Sequence, residues 1–158
     1  MERLFFALTF FAALGSGLMA GLFFAFSAFG MTALGRLPPP NGIAAMQAIN
    51  VEILNPLFFL VFFGTAAACI VLAIAAMIGW SEPGAAVLLV GSVLYLVGNI
   101  LVTIVFNVPL NNELAAVDPD GVKGATVWTR YLSVWTAWNH VRTVACLAAT
   151  ASLIMALR

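Results

Sequence analysis

The chain has 158 residues, 64% of them apolar and only 8% charged, whereas soluble domains carry roughly 45–50% and about 25%. So few charged side chains do not cover a water-facing surface of this size, which excludes a soluble fold. Six basic residues balance six acidic ones for a formal net charge of zero, so no basic stripe is available for nucleic acid or for an anionic membrane surface.

A spanning helix needs about 20 apolar residues, which leaves room for four or five crossings joined by short loops. Charged side chains mark the ends of the crossings, because each costs about 2.5–3.5 kcal/mol at the centre of a helix in lipid. The first apolar run lies between Arg3 and Arg36 and predicts a span over 4–34. It continues through Phe29, about twice the length of a signal-peptide core, and is expected to be retained. Gly17 and Gly21 within it form a G-x-x-x-G spacing, which admits close helix packing inside the subunit or a contact in a homo-oligomer.

Pro38, Pro39, Pro40, Asn41 and Gly42 predict a rigid, non-helical loop. A short, more polar helical segment is expected from Ile43 to Asn55, before Pro56 opens the second span over 56–80. Ser81–Gly84, with Pro83, reads as a tight turn into the third span over 85–108. The longest polar stretch, Asn111–Gly124, then leads to a fourth span over 128–157. The expected fold is all-α: an antiparallel four-helix integral membrane bundle forming one domain over 1–158, with the short polar helical segment ahead of its second helix. Lys and Arg are nearly balanced between the two sides. The short N-terminus and the acidic, proline-rich loops predict both termini in the cytoplasm.

The polar residues of these apolar helices gather toward one membrane face. Gln47, Asn50, Glu52 and Asn55 begin the second helix. Asn99, Thr103, Asn107, Asn111, Asn112 and Glu113 end the third, and Trp128, Arg130, Trp135, Trp138, Asn139, His140 and Arg142 begin the fourth. At about 1.5 Å rise per residue, His140 and Asn99 fall within the hydrocarbon region. Tyr95, Asn99, Thr103, Asn107 and Asn111 recur every fourth residue, as a slowly drifting stripe. Trp128, Tyr131, Trp135, Trp138 and Arg142 share one face of the fourth helix, with Asn139 on its margin. His140 points roughly 140–160° away from Trp135 and Arg142. Trp128 and Tyr131 read equally as an interfacial belt or as part of the site, while the deeper Trp135 and Trp138 read as a pocket wall. Asn99 serves either a site or interhelical hydrogen bonding. Arg142 needs a partner if it faces the bundle, and Glu52 and Glu113 are the nearest candidates by depth.

One His, two carboxylates near the polar face and two separated cysteines, Cys69 and Cys146, do not make up a zinc, di-iron or haem ligand set. The two thiols read as inert core groups. What remains is a polar, aromatic-walled cavity suited to a small, flat, hydrophobic ligand bearing oxygens, or to a lipid. A His or Glu there could remove a proton while Asn and Arg stabilise an oxyanion.

Three segments carry a resemblance. Met46-Gln47-Ala48-Ile49-Asn50 with Asn55-Pro56, Phe106-Asn107-Val108-Pro109-Leu110-Asn111, and Trp135-Thr136-Ala137-Trp138-Asn139-His140-Val141-Arg142-Thr143 together resemble the signature of the anthrone oxygenase family, long catalogued as a domain of unknown function. Characterised members are fungal enzymes that convert anthrones to anthraquinones with molecular oxygen and no evident cofactor, whereas the many bacterial members resemble this chain more closely. The resemblance implies a cofactor-free oxygenase. On that reading His140 is the base, with Glu52 second, and Arg142, Asn107 and Asn111 hold the developing phenolate. Trp135 and Trp138 stack on the rings, and Asn50, Asn55, Asn99 and Asn139 complete the binding surface. Two other readings use the same residues: a non-catalytic binder or carrier of quinone-like molecules, and a structural accessory subunit with a filled core.

Overall fold

The computed structural model describes residues 2–158, and no strand occurs among them. Helix α1 comprises Glu2–Ala25, a π-helical turn at Phe26–Gly30 and Met31–Gly35. Helix α2 is Pro39–Glu52, and α3 is Pro56–Ile78. Helix α4 runs through Ala85–Tyr95, two π-helical stretches at Leu96–Leu101 and Thr103–Asn107, and Val108–Ala115. Helix α5 is Val122–Met155.

Three stretches are long and apolar enough to cross a membrane: Arg3–Gly35, Pro56–Ile78 and Ala85–Ala115. The first half of α5 is interrupted by Lys123, Arg130, Asn139, His140 and Arg142, and packing places that helix. It lies along α1 and α4, and α3 closes the bundle between those two. Large apolar side chains such as Leu18, Phe24, Leu60, Ile78 and Val144 point outward, which suits lipid rather than water.

Two local features depart from the sequence reading. The triple proline does not hold off the helix. Pro39 and Pro40 occupy the first turn of α2 after Pro38 at the N-cap, where a missing N–H costs nothing and a fixed φ is already helical. The polar stretch after Asn111 is also shorter than expected, because α4 continues to Ala115 and α5 begins at Val122. Pro109 sits inside that continuation, directly after a π-helical stretch. A widened turn gives its ring room and removes the need for its missing donor.

The π-helical stretches also straighten the stripe on α4. In a regular α-helix, residues spaced by four slip about 40° per step, so five of them would not share one face. Each π turn takes up about one extra residue. As a result Tyr95, Asn99 and Asn107 are fully buried, and Thr103 and Asn111 are half-buried on the same inward side.

Close helix approach falls elsewhere than at Gly17 and Gly21. A Cβ on Gly21 would meet open space, and one on Gly17 only ordinary contact with Thr150. The tightest crossings are at Gly15, where a Cβ would collide with the Thr65 hydroxyl, and at Gly98, where it would collide with the Ala145 methyl. Gly84, at φ 85°, is the turn residue between α3 and α4 that a side chain would strain.

The bundle holds two apolar clusters. One fills the middle of α1, α3, α4 and α5 around Phe23, Phe62, Leu72 and Leu153. The other gathers Ile43, Met46, Leu110, Leu114, Trp128, Tyr131 and Trp135 beneath α2. Gln47 fixes α2 in place by donating to the carbonyls of Leu114 at 2.9 Å and Val117 at 3.0 Å.

Candidate functional site

Between the two clusters lies a cavity of about 240 Å³. Phe23, Phe26, Phe58, Phe62 and Trp135 form its walls, and Met46, Ile49, Asn50, Ile53 and Leu54 cover it from the polar side. Its polar groups are Asn50, Thr103, Asn111 and Arg142. A cavity of about 150 Å³ accommodates benzene, so this one has room for a ligand of about two or three fused rings.

Arg142 dominates the electrostatics. It is 5% exposed, and its guanidinium lies 4.2 Å from the centre of the Phe23 ring and 5.1 Å from that of Trp135. One terminal nitrogen donates to Asn139 Oδ1 at 2.7 Å, the other to Thr103 Oγ1 at 3.3 Å, and Nε–H is buried without a partner. Among the described residues no carboxylate pairs with it. Glu113 bonds instead to Arg130 at 2.7 Å, the sole ion pair among the described residues, and Glu52 is exposed. The expected partnership with either acid therefore does not form: α4 carries Glu113 past the cavity to the rim, where Arg130 meets it.

A relay of polar side chains forms the opposite wall. Asn111 Oδ1 accepts from Tyr131 Oη and from Trp135 Nε1, each at 2.8 Å, and Asn50 Nδ2 lies 3.4 Å from the Tyr131 oxygen. This ties α2, α4 and α5 together. Trp128, Tyr131 and Trp135 form a stacked column with ring centres 5.7 and 5.6 Å apart. Trp128 and Tyr131 are buried at 3% and 1% exposure, so the column belongs to the interior and not to an interfacial belt.

Asn139 is fully buried and positions Arg142. Its amide donates to the Phe23 carbonyl at 2.7 Å and to Ser27 Oγ at 2.8 Å, which aims Oδ1 at the guanidinium. Both acceptors lie where α1 changes to π-helical geometry, a widening that leaves carbonyls available to side chains. Asn107 lies behind the wall and donates to the Trp135 carbonyl at 3.3 Å, with its own oxygen buried and unpartnered.

The remaining sequence candidates lie outside the cavity. His140 is exposed in a shallow apolar groove with Val97, Gly98 and Val144, on the far side of α5 from Arg142. Glu52 is exposed at the rim, on the segment whose Asn50, Ile53 and Leu54 border the cavity. Asn55 caps α3: its oxygen accepts from Phe58 N–H and its amide donates to the Glu52 carbonyl, both at 3.0 Å. Trp138 stacks on Phe106 with ring centres 3.5 Å apart. Asn99 is fully buried one level deeper, and neither its amide nitrogen nor its oxygen has a partner. Cys69 and Cys146 are both buried and unpaired. Sequence reasoning missed Ser27 and Phe23, because a backbone carbonyl and a lone serine in an apolar helix carry no signal. Tyr131 was legible on the aromatic face, but its hydrogen bonds were not.

Fold and site together define a class: a helical protein with membrane-crossing helices that encloses a small aromatic cavity holding one uncompensated cation. The sequence profile of the anthrone oxygenase family matches residues 58–152, and the chain belongs to that family. The match takes in α3, α4 and nearly all of α5, including Asn107, Asn111, Trp135, Asn139 and Arg142. It leaves out α1 and α2. No curated protein and no solved structure matches the chain.

Proposed function

We propose that the chain is a membrane-embedded oxygenase of the anthrone oxygenase type, acting without a cofactor on a flat phenolic ligand bound against Arg142. The observation carrying this reading is a buried guanidinium with an unpartnered Nε–H and no carboxylate, facing an aromatic slot. Such a group favours a ligand oxygen that is anionic or becomes so. Loss of the ring CH proton would give a carbanion delocalised onto that oxygen. The carbanion passes one electron to O₂, the two radicals combine to a hydroperoxide, and water leaves. The net change is CH₂ + O₂ → C=O + H₂O. Arg142 and Asn111 hold the oxygen, Trp135 and Phe23 flank the rings, and Glu52 at the rim accepts the proton; His140, expected from the sequence as the base, faces away from the ligand on the far side of α5.

A second reading, a binder or carrier of quinone-like molecules, is favoured by one observation: neither a carboxylate nor an imidazole lines the cavity. The open cavity weighs against a purely structural accessory subunit. In both readings residues 1–158 form one four-helix transmembrane domain, in a bacterial inner membrane with both termini cytoplasmic. A C-terminal reporter active only outside the cytoplasm would reverse that orientation.

Oxygen consumption by the detergent-purified protein with a hydroxylated anthrone separates the two functions. The oxygenase reading expects one O₂ per ligand, with strong loss in Glu52→Gln. Full uptake in Glu52→Gln would remove the assigned base. Saturable binding without uptake would leave the carrier.

A further inference from the structure

The cavity's aqueous and lipid sides are closed in different ways. On the polar side the cover is Met46, Ile49, Asn50, Ile53 and Leu54, the last 59% exposed, and it is tied down by hydrogen bonds: Gln47 donates to the carbonyls of Leu114 and Val117. Toward lipid, Phe59 and Phe63 of α3 and Ile104 and Val108 of α4 line the cavity while remaining 40–56% exposed on the outer surface. A single layer of side chains separates the cavity from the bilayer there. The backbone explains the thin wall. Helices α3 and α4 pack closely along Ala85–Leu101 and scarcely beyond, so they diverge where the second π-helical stretch begins.

We propose that this cleft between α3 and α4 is the ligand's portal, and that a planar aromatic phenol enters sideways from the bilayer with its oxygen leading toward Arg142. The proposal rests on the cavity being the binding site, as in the functional reading above. It adds the source of the ligand and the residues that set its entry. A flat lipophilic molecule partitions into the membrane, so the bilayer is its concentrated phase. Thr103 and Arg142, deeper in the same cavity, supply the polar end that the leading oxygen meets.

The test uses the full chain reconstituted in vesicles of phosphatidylcholine and phosphatidylglycerol. The probe is 1,8-dihydroxyanthraquinone, a coloured three-ring phenol with no oxidisable CH₂, and the readout is the rate of tryptophan quenching. Ile104→Phe, which fills the cleft without adding a tryptophan, should slow quenching roughly tenfold, equivalent to about 1.4 kcal/mol on the entry barrier. Phe63→Ala, on an outward-facing position, should speed it by a similar factor, and it decides the matter if Ile104→Phe does not fold. Gln47→Ala, which loosens the aqueous cover, should change the rate less than twofold. The rate should follow the probe's mole fraction in the lipid. Faster quenching in Gln47→Ala with unchanged rates in both cleft variants would overturn the portal in favour of aqueous entry. Absence of saturable quenching in the unaltered protein would overturn the site itself. Because the probe cannot turn over, failure of the oxygenase reading alone leaves these rates unaffected.

Discussion

Replacing Arg142 by Met separates a role in ligand binding from a role in holding the bundle together. The substitution removes a buried cation that has no counter-charge, and relief of that desolvation is favourable by several kcal/mol. Against it stand three losses. Asn139 Oδ1 is left without its donor, at about 1–3 kcal/mol. The 3.3 Å bond to Thr103 is weak and on a half-buried partner, and contributes less. The contacts with Phe23 and Trp135 are worth about 0.5–2 kcal/mol. The terms nearly cancel, so the variant should unfold within a few degrees of the parent in the same detergent. Binding of a phenolate should behave otherwise: loss of a charge-assisted hydrogen bond of about 1.5–3 kcal/mol weakens affinity roughly tenfold to a hundredfold. Thermal unfolding followed by tryptophan emission, alongside titration with a coloured phenol above and below its own ionisation, measures both. A large fall in unfolding temperature with binding lost only in proportion would refute the reasoning, as would unchanged affinity for the ionised ligand.

Two further outcomes follow from the packing. Asn111→Leu leaves the Tyr131 hydroxyl and the Trp135 indole N–H without an acceptor, so it should destabilise by about 2–5 kcal/mol and shift the tryptophan emission. Asn111→Asp keeps an oxygen that accepts from both donors and should retain most of the stability; equal loss in the two variants would show that the relay is not what holds this wall. Gly98→Ala should cost about 1–3 kcal/mol of stability through collision with Ala145, while Gly21→Ala should be neutral by thermal unfolding, the reverse of what a G-x-x-x-G interface at Gly17 and Gly21 would give.

Composition was enough to determine that this chain is helical and built for lipid. The balance of 64% apolar against 8% charged residues admits little else, and charged side chains locate the helix ends because a charge costs most at the centre of a span and less toward the interface. The same logic made Arg142, Asn111 and Trp135 legible as one site, since a shared helix face and a shared depth follow from periodicity. Partnership was not legible. Whether Arg142 finds Glu113 depends on where α4 ends, and α4 runs to Ala115 because π-helical turns accommodate Pro109. Asn55 reads as a polar site residue until its backbone is seen to be an N-cap. The divergence of His140 from Arg142 was legible, since two residues at about 100° each turn it to the opposite surface, where it lies. The inward alignment of Tyr95, Asn99 and Asn107 was also beyond a regular helical period, because widened turns change the number of residues per turn without a compositional mark. Sequence thus determined the solvent, the helices and the supply of polar groups. Tertiary structure decided which of those groups face one another, because pairing depends on helix ends, rotations and local widening that a periodic pattern does not encode.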